Sequence, residues 1–287
     1  MTFGIRQGNK RGTMPNATGA EPTEQSEKLC VLVPCLNEQE LVRRTVEEVL
    51  QHANKISVDV EVVMIDDGST DETRVVMQEL CDEDDRCRLI AHDVNRGLGR
   101  CVTEAYETIA DDTWVTVFPG DSEFVFAESI DNLLAARHGH DVVLGYLYNP
   151  VVRKLSRRIA STGFLKLTKT IYGFRWRSLN GMKLYRARAF KGIHVISGGH
   201  AYVAELLAKA QLRRPDLRIT EAPFISRGRA IGDSHAIKPM SVIRAVSETY
   251  KGAQDVGRYR EKMVRRYHEE QERGETHESF FPPATLD

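Results

Sequence analysis

The chain has 287 residues, 41% hydrophobic and 28% charged, with a formal net charge of −1. That length suits one large α/β domain or two small ones, and the near-neutral balance gives no global pull toward nucleic acid or membrane, so any anion recognition must be local. Five cysteines (Cys30, Cys35, Cys81, Cys87, Cys101) without CxxC spacing read as reduced thiols of a cytoplasmic protein, no apolar run approaches the ~20 residues of a membrane span, and no apolar signal core opens the chain.

Residues 1–28 are rich in Gly, Asn, Thr, Glu and Lys, carry no periodicity and are expected to form a disordered leader. "KLCVLVPCL" then reads as a buried strand, and "EQELVRRTVEEVLQHA" has helical spacing through Leu41, Val42, Val46, Val49 and Leu50. "VDVEVVMI" is the second strand. "STDETRVVMQEL" follows as a helix, with Thr70 or Asp71 available as its cap. A third strand, "CRLIAH", leads to the helix "LGRCVTEAYETIA". The strand "TWVTVF", the helix "FAESIDNLLAARH" and the strand "DVVLGYL" continue the alternation. Such alternation argues for a parallel sheet of βαβ units, in which ligands bind beyond the carboxyl ends of the strands.

Three of those ends carry acids: Asn37 and Glu38 after the first strand, Asp66 and Asp67 after the second, Asp121 and Glu123 after the fourth, where Pro119 and Gly120 stop the strand. Three polar ends on one rim favour a site over a solvated loop. No GxGxxG follows the first strand and no GxxxxGK[ST] occurs anywhere, so dinucleotide and P-loop readings lose their fingerprints. Acidic rims suit a nucleotide recognised by base and ribose, with its diphosphate on a hard cation such as Mg²⁺ or Mn²⁺.

"VLVPCLNEQELV", "VVMIDDGSTDET" and "FPGDSEF" stand in the order and spacing of family 2 glycosyltransferases. "RKLSRRIAS", "LNGMKLYRARAF", "YVAELLAKA", "ITEAPF" and "RGRAIGDSH" resemble the dolichyl- or polyprenyl-phosphate sugar synthase branch. The resemblance implies a GT-A, Rossmann-like α/β domain over residues 29–236. Its mainly parallel central sheet would be flanked by helices, with a C-terminal helical extension over 237–287. Pro34, Leu36 and Glu38 match the segment that cradles the nucleoside, although the family commonly has an aromatic where Leu36 stands. Ile65, Asp66 and Asp67 match the base and ribose contacts. Asp121, beside Gly120, matches the last Asp of the DxD metal motif for Mn²⁺ or Mg²⁺. Pro119 occupies the place of the first, and Glu123 is the candidate compensating ligand.

Arg157 and Ser161 match an Arg-x-x-x-Ser that grips the acceptor phosphate, a spacing that puts both on one helix face. Arg229 and His235 match the Arg and Lys of a loop that closes over the donor diphosphate, and a His there is charged only part of the time near neutral pH. Leu147 replaces the branch's second phosphate-binding Arg, for which Arg153 is the substitute. Ser178 stands where many relatives have an Asp. That loss is tolerable for a phosphate acceptor, whereas a hydroxyl acceptor needs a base, for which Glu205 is the next candidate.

The expected activity is transfer of a sugar from an NDP-sugar, with inversion, to a polyprenyl or dolichyl phosphate. A family 2 enzyme acting on a hydroxyl of a soluble glycan or specialised metabolite is the alternative, and a catalytically silent NDP-sugar-binding module a second one. A sugar-1-phosphate nucleotidyltransferase should carry a Gly-rich basic loop after its first strand, and "PCLNEQE" is not that loop. The charged C-terminal segment reads as a solvated helix or dimer contact. Arg258, Arg260, Lys262, Arg265 and Arg266 offer peripheral contact with a cytoplasmic membrane face, against which Glu269, Glu270 and Glu272 count.

Overall fold

The computed structural model describes residues 27–149, 155–179, 181–199, 201–227 and 239–273, without the side chains of residues 157, 239–241 and 271. The first strand, β1 (Lys28–Cys35), is apolar on both faces, as a central parallel strand must be. Its alternate residues enter different cores. Leu29, Val31, Val33 and Cys35 join one layer, and Cys30 and Leu32 join the other. β2 (Asp59–Asp67) divides in the same way, with Val62 and Met64 on one side and Val63 and Ile65 on the other. This period-two split makes a three-layer sandwich.

One outer layer is formed by α1 (Val42–Ala53), α2 (Thr73–Glu83) and α4 (Phe126–Ala135). They bury Val42, Val46, Val49, Met77, Leu80, Ile130 and Leu133. The other contains α3 (Leu98–Glu107) and α6 (Tyr202–Arg213), through Val102, Tyr106, Val203 and Leu207. The remaining strands are β3 (Cys87–His92), β4 (Trp114–Val117), β5 (Phe124–Val125), β6 (Val142–Leu147), β7 (Lys183–Arg186) and β8 (Ile219–Ser226). The eight strands run in the order β3-β2-β1-β4-β7-β6-β8-β5. β1 pairs in parallel with β2 and β4, β2 with β3, and β6 with β8. β7 is antiparallel to both β4 and β6, and β5 to β8. The sheet is thus mainly parallel and flanked by helices, as expected.

Two helices start later than their apolar spacing predicts. α1 begins at Val42 because residues 36–41 form a turn in which Asn37 has a positive φ of 56° and Leu41 N and Val42 N both donate to Glu38 O. α2 begins at Thr73, whose amide and hydroxyl both donate to Asp71 Oδ1, so Asp71 caps from two residues upstream. At the amino end, Lys28 is already in β1. Glu27 pairs with Arg137 and Arg186, and residues 1–26 lie outside the described residues. α5 (Leu155–Tyr172) and α7 (Pro239–Glu272) complete the fold, and α7 bears out the helical reading of the carboxyl segment. The chain runs outward from β1 to β3 and then returns to β4 on the other side. The β1–β4 seam is therefore a topological switch point, where such sheets open a crevice.

Candidate functional site

The crevice is built by continuing the β1–β4 alignment past the end of β4. Phe118 N and Gly120 N donate to Leu32 O and Pro34 O at 2.8 and 3.2 Å, and Thr45 Oγ1 donates to Gly120 O at 3.1 Å. A Cβ on Gly120 would lie 2.2 Å from Cys35 Sγ, so only glycine admits this approach. Burial, followed by the charges of Glu38, Asp66 and Asp121, pushes the Cys35 thiol well above its ordinary pKa. One acid from each of the three strand ends is thus brought into one neighbourhood.

The loops after β1 and β2 are laced together. Asn37 N donates to Ser69 Oγ, Glu38 N to Thr73 Oγ1, and Thr70 N to Asn37 Oδ1. Asp66 is fully buried, accepting from Ser69 N at 3.0 Å and from Arg74 Nε at 2.7 Å. Arg74 also donates to His92 O. Asp67, buried as well, accepts from Arg96 N at 2.7 Å and Gly97 N at 2.9 Å, shaping the turn that opens α3. Gly97 has a φ of 86°, and a Cβ there would meet Gly198 O at 2.9 Å. Ile65 is buried, Pro34 and Glu38 are half-buried, and Leu36 is exposed on the rim.

Asp121 stands half-buried on a tight turn. Its Oδ1 accepts from Glu123 N at 3.2 Å, and Ser122 has a φ of 52°. Glu123 is only 3% exposed, so of the two candidate ligands Asp121 is the more accessible. This donor set fits a hard cation that is completed by substrate phosphates and water, since Mg²⁺ needs only one or two protein carboxylates there. Arg227, which opens "RGRAIGDSH", was assigned no role by the motif. Its amide donates to Glu123 O at 3.0 Å, and its guanidinium grips Glu48 at 2.6 and 2.8 Å. Arg227 therefore lies beside the Asp121 turn, two residues before Arg229 in sequence. Arg229 and His235, with Arg153, lie outside the described residues, as does the side chain of Arg157.

A cleft of about 390 Å³ lies between α5 and the ends of β6 and β8, lined by Arg158, Ser161, Arg177, Ser178, Tyr146 and Phe224 among others. It brings Ser161 and Ser178 together and adds two cations that the motifs did not single out. Arg158 was hidden in the basic run "RKLSRR". Arg177 is held by its amide on Glu221 Oε1 and by its guanidinium 4.5 Å from the Tyr146 ring centroid. Glu205 does not suit the role of base. It is fully buried and accepts from Ile196 N, Ser197 N, Ser197 Oγ and Lys209 Nζ. Its location in α6 makes it a knot between helix and loop, and α7 joins through Asp255 on Lys209.

In the carboxyl segment Arg258 pairs with Asp255 and Arg266 with Glu270, which neutralises two of the five cations expected to face a membrane. Among the described residues no helix is long and apolar enough to cross one.

Comparison with known proteins agrees with this architecture. The chain is 27% identical over 126 residues to "Glycosyltransferase GlyG" of Streptococcus pneumoniae, covering 43% of this chain and 40% of that protein. It is 29% identical over 122 residues to "Undecaprenyl-phosphate 4-deoxy-4-formamido-L-arabinose transferase" of Proteus mirabilis, covering 42% of this chain and 37% of the relative. The alignments thus span well under half the length of these curated relatives. In fold it is similar to glucosyl-3-phosphoglycerate synthase from Mycobacterium tuberculosis. One crystal structure of that enzyme, with phosphoglyceric acid, aligns with a TM-score of 0.58 at 17% identity over 78% of this chain and 80% of the other. Another, with Mn²⁺, UDP and phosphoglyceric acid, gives 0.57 at 15% over 79% and 78%. The family model for glycosyl transferase family 2 matches residues 30–208, more than half of the chain, and the protein belongs to that family of transferases.

Proposed function

We propose that the protein is a metal-dependent inverting glycosyltransferase that moves a sugar from a UDP- or GDP-sugar to a phosphate-bearing acceptor, a polyprenyl or dolichyl phosphate foremost. The cleft of Arg158, Ser161, Arg177 and Ser178 carries this reading, because no carboxylate is among its described lining residues. A hydroxyl nucleophile needs a general base. A phosphate is already an anion and needs only cations and hydroxyl donors to orient it.

Pro34, Leu36, Glu38, Ile65, Asp66 and Asp67 would form the nucleoside cradle, with the two aspartates acting mainly by holding the loops in shape. Asp121, seconded by Glu123, would hold Mn²⁺ or Mg²⁺. When bound, such a cation supplies positive charge to the departing diphosphate, and Arg229 and His235 would add to it. Arg157, Arg158, Arg177 and Ser161, with Arg153 nearby in sequence, would fix the acceptor phosphate for in-line attack. In that single displacement the acceptor oxygen bonds to the anomeric carbon as the bond to the diphosphate oxygen breaks. The leaving NDP takes the electron pair, and the anomeric configuration inverts.

The Proteus mirabilis relative's name pairs its sugar with undecaprenyl phosphate, which supports a lipid phosphate, met at a cytoplasmic membrane face. Exposed Val242, Ile243 and Val246 on α7 are suited to touching such a surface. A soluble phosphorylated acceptor is the second reading, favoured by the paired cations of α7 and by the phosphoglyceric acid of the neighbours.

The test is NDP release by the purified protein with Mn²⁺ or Mg²⁺ across UDP- and GDP-sugars, with a short polyprenyl phosphate, with phosphoglycerate, or with neither. Release stimulated by the lipid phosphate is expected. Stimulation by phosphoglycerate alone would move the acceptor to the soluble class, and donor binding with no release under any condition would leave a silent binding module.

A further inference from the structure

Behind the nucleoside end of the rim, three metal-ligating side chains converge: Asp67 at the end of β2, His92 at the end of β3 and Cys101 near the start of α3. Their ligand atoms all lie within 4.8 Å of one another. Asp67 and His92 are register partners, and all three residues are buried. His92 Nδ1 is 3.6 Å from Cys101 Sγ and 3.6 Å from Asp67 Oδ1. A tetrahedral zinc centre, with a metal–sulfur bond of about 2.3 Å and metal–nitrogen and metal–oxygen bonds of about 2.1 Å, sets sulfur about 3.6 Å from nitrogen and nitrogen about 3.4 Å from oxygen. The spacings already present are those of two edges of such a tetrahedron.

The surroundings favour the same arrangement. On the far side of the ring, His92 Nε2 faces Glu104 Oε2 at 3.3 Å. An imidazole that presents Nε2–H to a carboxylate keeps its lone pair on Nδ1, which is how histidine ligands are commonly oriented toward a metal. The amides of Arg96 and Gly97 hold the Asp67 carboxylate. A carboxylate has about four lone-pair sites, so these two bonds orient it and leave capacity for a cation. The Arg96 guanidinium faces Glu104 at 3.2 Å, on the opposite side of His92 from the thiol.

We infer that Asp67, His92 and Cys101 form a tetrahedral site for a zinc-class divalent cation, with water in the fourth position. Carboxylate, thiolate and dication sum to a neutral centre, which suits burial far better than an unpaired charge does. Thiolate and imidazole select zinc or cobalt over magnesium, whereas the oxygen donors at Asp121 select the hard cations, so the two sites are separable by metal. Coordination releases the Cys101 thiol proton to solvent and ties β2, β3 and α3 together beneath the nucleoside loops.

Titration of the full-length protein with Co²⁺ tests this site, because thiolate ligation gives a charge-transfer band that oxygen ligation does not. The expected band saturates at one equivalent, is abolished by one equivalent of Zn²⁺, persists in Cys81→Ser and is lost in Cys101→Ser. Glu104→Gln, at a half-exposed position, should weaken cobalt binding roughly 10- to 100-fold while the fold is kept. No band at excess Co²⁺, or a band that survives Cys101→Ser, would overturn the site. If Cys101→Ser does not fold by circular dichroism, an unchanged cobalt affinity in Glu104→Gln overturns it instead.

Discussion

The two ends of the rim handle charge in opposite ways. At the β1–β3 end, Asp66 and Asp67 are buried, and both oxygens of each accept hydrogen bonds from the protein. At the α5–β8 end, Arg158 and Arg177 are exposed in an open cleft. Buried carboxylates that organise amides and an arginine make a rigid cradle, because moving them would leave buried polar groups unpaired. The exposed guanidiniums of Arg158 and Arg177 keep much of their hydration, and that of Arg177 is steadied by the Tyr146 ring and by Glu221 Oε2 at 3.8 Å. One end is therefore built for shape and the other for charge, with the Asp121 turn between them.

The sharpest way to break this division is at the turn. Asp121→Asn should lower metal-dependent NDP release roughly 10²- to 10³-fold, in the range found when one electrostatic stabiliser is removed, with little change in melting temperature, since the side chain is only half-buried. Steady-state release assays alongside thermal melts check both parts, and a fully active variant would end the metal argument.

Arg158→Ala and Arg177→Ala sharpen the contrast from the other end. Each removes a charged donor from the cleft proposed to hold the acceptor, and losing one such hydrogen bond at about 1.5–3 kcal/mol should raise KM for a phosphate acceptor by roughly 10- to 100-fold. The donor KM and the slow hydrolysis of donor without acceptor should stay unchanged. A shift in donor KM instead would mean that these arginines serve the diphosphate, and the division of the rim would fail.

How much of this was legible depends on the distance over which the signal acts. Apart from the two-residue β5, which forms by pairing with distant β8, the strands and helices up to Leu147 follow from local apolar period, and the rim acids from their positions at strand ends, because both are properties of a few adjacent residues. The late starts of α1 and α2 were not legible, since they depend on side chains of one loop capping amides of the other. Arg74 on Asp66, Arg227 on Glu48 and Lys209 on Asp255 were hidden for a related reason. A charged residue's spacing does not say which partner the fold will bring to it. Arg177 reaches the cleft only because the segment before β7 runs beside β6 and β8, a non-local pairing that no motif announces.

β7 joins the β1–β4 side of the sheet to the β6–β8 side, antiparallel to both of its neighbours, and it carries a cost that a single substitution should reveal. Lys183 lies buried in it with Nζ donating to Gly181 O at 2.5 Å, and burial pushes its pKa down to about 7 from an ordinary 10.5. Between those values the unfolded chain binds a proton that the folded chain does not. Lys183 therefore makes stability rise with pH across that window, by at most about 1.4 kcal/mol per pH unit. The buried thiols Cys30 and Cys35, whose pKa values burial pushes up, act in the opposite sense as the pH passes their ordinary value near 9, so the wild-type profile alone is ambiguous. Lys183→Met keeps the thiols and removes the amine. The difference between the two denaturation profiles should isolate a slope confined to about pH 7–10.5, with the variant gaining most at the acid end and NDP release unaltered. A difference that is flat across the window would mean that Lys183 stays protonated in the fold, and the strand joining the two halves would then hold a charge rather than exclude one.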